Sequence, residues 1–252
     1  MTGDMKTILV TGASSGLGKD VTEMLESRAA LAGVSVCMLK AGRNSEDDFP
    51  YDLNNTSIDI DLSMFDILFH FAWDRSDLSF NCKNVRAIKL LVNEMQGTNA
   101  RLVLISSVEA GHGNSVYAKQ KRICEDLVLA AGGKVLRLGA VVGGGNDFFS
   151  QLRKSTSIGP LKLTLVPDPL MDITRIETLA NKIVQIILNE KELGIEAVVD
   201  NRIRLSDILK MRNHEIKIRV PVWLVKLLLL TGCSLVPKLD VWRDRFLALE
   251  KR

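Results

Sequence analysis

The chain has 252 residues, enough to bury a large core in one or two domains. Its formal net charge is only +3, with 33 basic and 30 acidic side chains intermixed, which gives no case for nucleic-acid binding. Cys37, Cys82, Cys124 and Cys233 stand singly and the histidines are scattered, so neither a disulfide framework nor a metal site is legible. The sequence enters its first strand almost at once, without a signal-peptide apolar region, and the simplest reading is a cytoplasmic protein.

Lys6-Thr7 followed by Ile8-Leu9-Val10 reads as a buried parallel strand. Thr11-Gly12-Ala13-Ser14-Ser15-Gly16-Leu17-Gly18 comes next, and then Val21, Met24, Leu25 and Arg28 to Leu31 recur at helical spacing. Strand, glycine-rich turn and helix form the context in which a glycine fingerprint carries meaning. Gly12 permits a tight turn, Gly16 lets backbone approach a phosphate, and Gly18 lets the helix pack on the strand. The helix N-terminus adds unpaired N–H groups and a positive dipole end. A second strand, from Val34 to Leu39, runs into Lys40-Ala41-Gly42-Arg43, with no acidic residue until Glu46. An NAD site carries an acid about 20 residues past the glycines to hold the ribose 2′-OH. Here Arg43, with Lys40 or Lys19, instead suits a 2′-phosphate, so NADP is expected, with NAD as the alternative.

Further along, the run Leu102 to Ile105 ends in Ser106-Ser107, and a hydroxyl at a strand's carboxyl end points into the crevice where open α/β sheets bind ligands. Ten residues after Ser107 stands Tyr117, one of only two tyrosines, in Tyr117-Ala118-Lys119-Gln120-Lys121. Ile123, Leu127 and Val128 mark this segment as a helix, and i, i+4 spacing puts Tyr117 and Lys121 on one face. A phenol with a pKa of about 10 is a poor acid–base group at neutrality. A lysine ammonium about 4 Å away is worth roughly 4 kcal/mol at an effective dielectric of about 20, or about three pKa units. Ser107, Tyr117 and Lys121 are therefore the candidate catalytic residues. Alternating apolar strands and amphipathic helices point to a doubly wound parallel sheet.

On these residues the chain resembles the short-chain dehydrogenase/reductase superfamily: TGASSGLG is similar to its cofactor turn, ISSV to its serine strand and YAKQK to its YxxxK pair. Asp52-Leu53 resembles the pair beside the adenine, and His70-Phe71-Ala72-Trp73 the end of the fourth strand. Asn84-Val85 with Leu90-Leu91, Arg137 to Gly143, and Asp172-Ile173-Thr174 resemble elements of the extended, nucleotide-sugar branch. The resemblance implies a Rossmann-like domain over residues 1–145 and a trimmed substrate-binding lobe over 146–252, interleaved with the last sheet elements. It implies cofactor contacts from Gly12, Ser14, Ser15, Gly16, Leu17, Gly18, Lys40, Arg43, Asp52, Leu53, Phe71, Ala72, Trp73 and Asn84, together with Tyr117 and Lys121. It further implies a homodimeric oxidoreductase or epimerase acting on a nucleotide-linked sugar in polysaccharide biosynthesis. A reductase of another carbonyl compound and a non-catalytic dinucleotide-binding regulator are the alternatives, and retention of Ser107, Tyr117 and Lys121 argues against the regulator.

The sequence also departs from that pattern. Ser107-Val108-Glu109-Ala110-Gly111-His112 replaces the usual V-Y-G element and shortens the loop before Tyr117. Where the dehydratases carry T-D-E, Glu109 stands at the Glu position but Val108 replaces the Asp. His112 is either a second acid–base group or a loop histidine, the latter being the preferred reading. Downstream, Val166-Pro167-Asp168-Pro169 reads as a rigid loop, Ile176 to Leu188 has helical periodicity, and Leu205 to Ile208 starts a helix with Ser206 as its cap. The apolar stretch 221–231 begins at a proline and runs for about ten residues, too short for a bilayer that needs about 20, and is expected to pack on the lobe.

Overall fold

The computed structural model describes residues 5–14, 16–144, 157–158, 161–189, 193–208 and 216–225. The first apolar run forms β1 (Lys6–Thr11), and α1 (Gly16–Leu31) follows the glycine turn. Next come β2 (Val36–Gly42), β3 (Phe49–Pro50), β4 (Ile67–His70), α2 (Lys83–Glu94) and β5 (Arg101–Ser107). The short α3 (Glu109–His112), α4 (Val116–Ala130) and β6 (Lys134–Leu138) complete the first part. Beyond it lie β7 (Ala140–Val142), β8 (Ser157–Ile158), β9 (Leu161–Val166), β10 (Leu170–Arg175) and α5 (Ile176–Leu188). The last described elements are β11 (Gly194–Val198), β12 (Asn201–Arg204), α6 (Leu205–Ile208) and β13 (Ile216–Pro221).

Seven strands form one parallel sheet in the order β11-β6-β5-β4-β1-β2-β3. The chain builds outward from β1 to one edge, returns beside β1 as β4, and builds toward the other edge. The crevice at this reversal opens beyond the carboxyl ends of β1 and β4, where open α/β sheets take their ligands. Side chains alternate across each strand, and both faces here are apolar because helices cover both. Ile8, Val10, Ile67, Phe69, Val103 and Ile105 pack with α1 and α5 on one side. Leu9, Leu68, Leu102 and Leu104 pack with α2 and α4 on the other. Each such buried side chain contributes roughly 1.5–3 kcal/mol.

The expected doubly wound sheet is present. The later residues return to it: β11 adds its last strand beside β6, and α5 packs against α1, tied by a hydrogen bond of 3.0 Å from Arg28 Nη1 to Asn181 Oδ1. Separately, β7, β10 and β12 form one three-stranded sheet, and β8, β9 and β13 another. The expected Ser206 cap is corrected, because α6 already begins at Leu205. Ser206 Oγ instead donates to Asp168 Oδ2 at 2.5 Å, fastening α6 to the proline-bounded loop. Pro221 closes β13, and residues 226–231 of the apolar stretch, like Cys233, lie outside the described residues. Among the described residues no helix is long and apolar enough to cross a membrane.

Candidate active site

The turn after β1 is shaped by what its glycines lack. Gly12 has φ +75°, and a Cβ there would lie 2.7 Å from the backbone nitrogen of Ala72. The turn can therefore touch the loop leaving β4 only as glycine. A Cβ on Gly18 would lie 2.1 Å from the carbonyl oxygen of Gly12, so the helix start and the turn are in backbone contact. Gly16 opens α1 with free space around it, and the first turn of that helix carries no acidic side chain. Free N–H groups in such a setting suit a phosphate. Leu17 and Phe71 both pack, half-buried, against the α1–α5 core. Ser14 is half-buried, with its Oγ beside Gly42, and Ser15 lies outside the described residues.

At the end of β2, Lys40 lies within the strand, and its backbone N–H donates to Asp48 Oδ2 at 2.7 Å. Arg43 is 80% exposed, with Nε 3.9 Å from Asp52 Oδ2. Asp52 Oδ1 also accepts from the backbone N–H and side-chain amide of Asn54, at 2.7 and 2.8 Å. Leu53 packs, half-buried, on the α2–α4 core. A feature missed in the sequence is Asp47. The loop after β2 folds back, so that Asp47 Oδ2 accepts from the Asn44 N–H at 2.9 Å and stands 2.3 Å from the Cβ that Gly42 lacks. Only the path of the loop brings this carboxylate to the strand end.

Alternation along β5 separates the two serines at its end. Ser106 continues the face covered by α4, where its Oγ donates to the buried Glu125 Oε1 at 2.5 Å. Arg137, from β6, holds the same carboxylate through Nε at 3.0 Å and Nη2 at 2.6 Å. Ser107 is left half-buried at the strand end, its Oγ accepting from the Glu109 N–H at 3.3 Å. Ser115 caps α4 by accepting from the Ala118 N–H at 3.1 Å, which puts Tyr117 in the first turn of the helix.

Lys121, one turn further, is only 4% exposed. Its Nζ donates to the carbonyl of Ile105 at 2.7 Å and lies 3.6 Å above the Trp73 ring. Burial pushes its pKa down to about 7, with the nearby Arg75 cation acting in the same direction. Trp73 also meets Tyr117 edge-on, with ring centroids 5.9 Å apart, and the Arg75 guanidinium lies 5.5 Å from the centre of the Tyr117 ring. The lysine ammonium thus meets the Ile105 carbonyl and the Trp73 ring, and the Arg75 guanidinium lies over the tyrosine ring. Arg75 carries no sequence signal beyond its place after β4.

Ala72 and Trp73 lean on the α2–α4 core. Asn84 is buried in α2 and clamps the same loop, accepting from the Asp74 N–H at 2.8 Å and donating to the Asp74 carbonyl at 2.6 Å. Its amide serves the loop that carries Trp73 and Arg75. His70 is held by Thr11, with Oγ1 and Nδ1 2.8 Å apart, and burial drives its pKa down to about 3, so it is neutral in the folded protein. Glu109 is buried with its carboxylate against Gly113, and His112 stands exposed at the end of α3.

No family profile and no curated protein sequence matches the chain. Solved structures match it by shape. ADP-L-glycero-D-manno-heptose-6-epimerase of Helicobacter pylori superposes with a TM-score of 0.65 at 17% identity, over 86% of this chain and 85% of that one. The dTDP-4-dehydrorhamnose reductase of Bacillus anthracis, in complex with NADP, gives 0.66 at 16% identity over 86% and 85%. The dTDP-glucose 4,6-dehydratase of the same organism, in complex with NAD, gives 0.64 at 12% identity over 86% and 84%. The chain shares their fold. The Rossmann-like architecture expected from the glycine turn and the YxxxK pair is thereby confirmed.

Proposed function

We propose that the chain is an oxidoreductase using a nicotinamide dinucleotide on a nucleotide-linked sugar, as an epimerase or a reductase in polysaccharide assembly. One observation carries the reading. Ala72 abuts the glycine turn, while its neighbour Trp73 packs on both Tyr117 and Lys121. A phosphate cradle and an acid–base pair thus meet at the reversal of the sheet. Likeness in fold to an epimerase and a reductase of nucleotide sugars supports it.

The residues fit such a cofactor, since Gly16, at the start of α1, has no other part of the protein within 4 Å of where a Cβ would stand. Gly12, Ser14, Gly16 and Gly18 would hold the pyrophosphate, with Asp52 and Leu53 toward the adenine. The nicotinamide, when bound, supplies or accepts the hydride. Ser107 Oγ holds the reacting oxygen of the sugar, and the Tyr117 hydroxyl gives or takes its proton. Lys121 fixes the end of β5 through Ile105 and, with Trp73, closes the floor of the site against water. Tyr117→Phe is expected to leave cofactor affinity nearly unchanged while lowering turnover at least about a hundredfold. Near-normal turnover by that variant, measured on any nucleotide sugar the wild type converts, contradicts the assignment.

Arg43, exposed at the end of β2, favours NADP. The Asp47 carboxylate beside Gly42 and Ser14 favours a second reading, NAD, because it would repel a 2′-phosphate and accept from a 2′-hydroxyl. Titration with NADPH and NADH decides between them. Tighter NADPH binding is expected, weakened about tenfold by Arg43→Ala with NADH unaffected. An NADH preference that Asp47→Ala abolishes establishes the second reading.

A further inference from the structure

We infer that Arg122 of α4 is a positioning residue that sets Ser107 and Tyr117 in their working relation; the inference rests on the proposed role of those two hydroxyls. Residues 108–116 join the strand end that carries Ser107 to the helix start that carries Tyr117. The segment is fixed where it leaves β5, because the Val108 N–H donates to the Leu138 carbonyl at 2.9 Å. It is fixed again where Ser115 caps α4. Between these points α3 is a single turn, and so short a helix leaves most of its carbonyls to find partners elsewhere. The Glu109 carbonyl accepts from the Gly113 N–H at 2.6 Å. Arg122 reaches two more: its Nε donates to the Ala110 carbonyl at 2.8 Å and its Nη2 to the Gly113 carbonyl at 3.0 Å. A planar guanidinium offers donors in a fixed fork, so one side chain holds the turn at both of its ends.

This grip connects the two candidate hydroxyls through short steps. Ser107 Oγ accepts from the Glu109 N–H at 3.3 Å, and the held Ala110 carbonyl belongs to the next residue. Arg122 then carries the tie to the helix whose first turn presents Tyr117. The segment is packed directly on that helix. A Cβ on Gly113 would lie 2.7 Å from the Glu109 carbonyl oxygen and 2.9 Å from the Ala118 Cβ. Ala110 and Gly113 are both buried, so the held turn lies beneath the surface. Proton transfer requires both hydroxyls on one reacting oxygen, and a misplacement of about 1 Å can cost about a hundredfold in rate. Arg122 acts through the segment and α4 rather than on the reacting atoms.

The chain offers a direct readout because Tyr51 and Tyr117 are its only tyrosines. With meta-fluorotyrosine in their place, fluorine NMR gives one resonance for each, and Tyr117→Phe assigns them. Arg122→Met is expected to shift the Tyr117 resonance and leave that of Tyr51 in place. Arg122→Lys keeps the charge but not the fork, and should give a smaller shift. On a nucleotide sugar that the wild type converts, Arg122→Met should lower kcat about tenfold, with KM and NADPH affinity nearly unchanged. Arg122→Lys should recover part of that loss. A still Tyr117 resonance in Arg122→Met, or an unaltered kcat, overturns the inference. So does movement of both resonances in Arg122→Lys, the mark of a general loosening. A still resonance alongside Tyr117-dependent turnover sinks this inference alone, and a shifted one in a protein that converts no nucleotide sugar sinks only the proposed function.

Discussion

Val108 narrows the chemistry more than any other single residue. Removing water from a sugar needs one group to protonate the leaving hydroxyl and another to take the neighbouring proton. Valine can do neither, Glu109 is turned against Gly113, and His112 stands at the far end of α3. Since a dehydratase shares the fold, the fold cannot decide this point, and the side chains must. Incubation with UDP-glucose and TDP-glucose is expected to give no product lighter by one water, read by mass. Such a product, lost in His112→Ala, would promote that histidine to the acid. At this scale the residues whose place in the fold was legible were those whose signal is local: the glycines between strand and helix, Ser107 by its position at the end of a strand, and Tyr117 with Lys121 by helical spacing. Asp47 and Arg75 were not legible, because each reaches the site through the path of a loop, and no periodicity encodes that path.

Three elements are joined by one buried carboxylate. Glu125 of α4 receives the Ser106 hydroxyl of β5 and the Arg137 guanidinium of β6, and its side chain is 1% exposed. Glu125→Gln keeps the shape but leaves the guanidinium without its charge partner, and is expected to cost on the order of 3 kcal/mol in chemical denaturation. Ser106→Ala alone should cost about 1 kcal/mol. The two should fall short of additivity in the double variant, because they share a partner; full additivity would show that the triad does not act as a unit. Among whole elements, α5 was readable to its ends, since an amphipathic helix of that length repeats its apolar positions several times. The short edge strand β11 offers too few residues for alternation to stand out. Ser206 was misread because the sequence shows a helix start only to within a residue or so, and the cap depends on which residue comes first.

The molecule as a whole carries two buried bases whose folded pKa values are depressed, and both make stability rise with pH. Lys121 moves from 10.5 to about 7 on folding, so the unfolded chain binds more protons between those values. His70 moves from 6.5 to about 3, with the same sign over that lower window. Each adds at most about 1.4 kcal/mol of stability per pH unit within its window. Denaturation midpoints should therefore climb from acid toward mild alkali, with Lys121→Met flattening the climb above pH 7 and His70→Asn flattening it below; an unaltered profile in either variant contradicts the corresponding burial. The topology places these groups beneath the crevice where the glycine turn, Trp73 and Tyr117 meet, and hydride transfer at that crevice is the central claim. Its most direct test supplies NADPH deuterated at the hydride position of its nicotinamide together with a keto form of a nucleotide sugar. The expected result is a sugar product carrying deuterium at the reduced carbon, formed by wild type and not by Tyr117→Phe. A reduced product without the label, or no product with any nucleotide sugar at saturating cofactor, would contradict it.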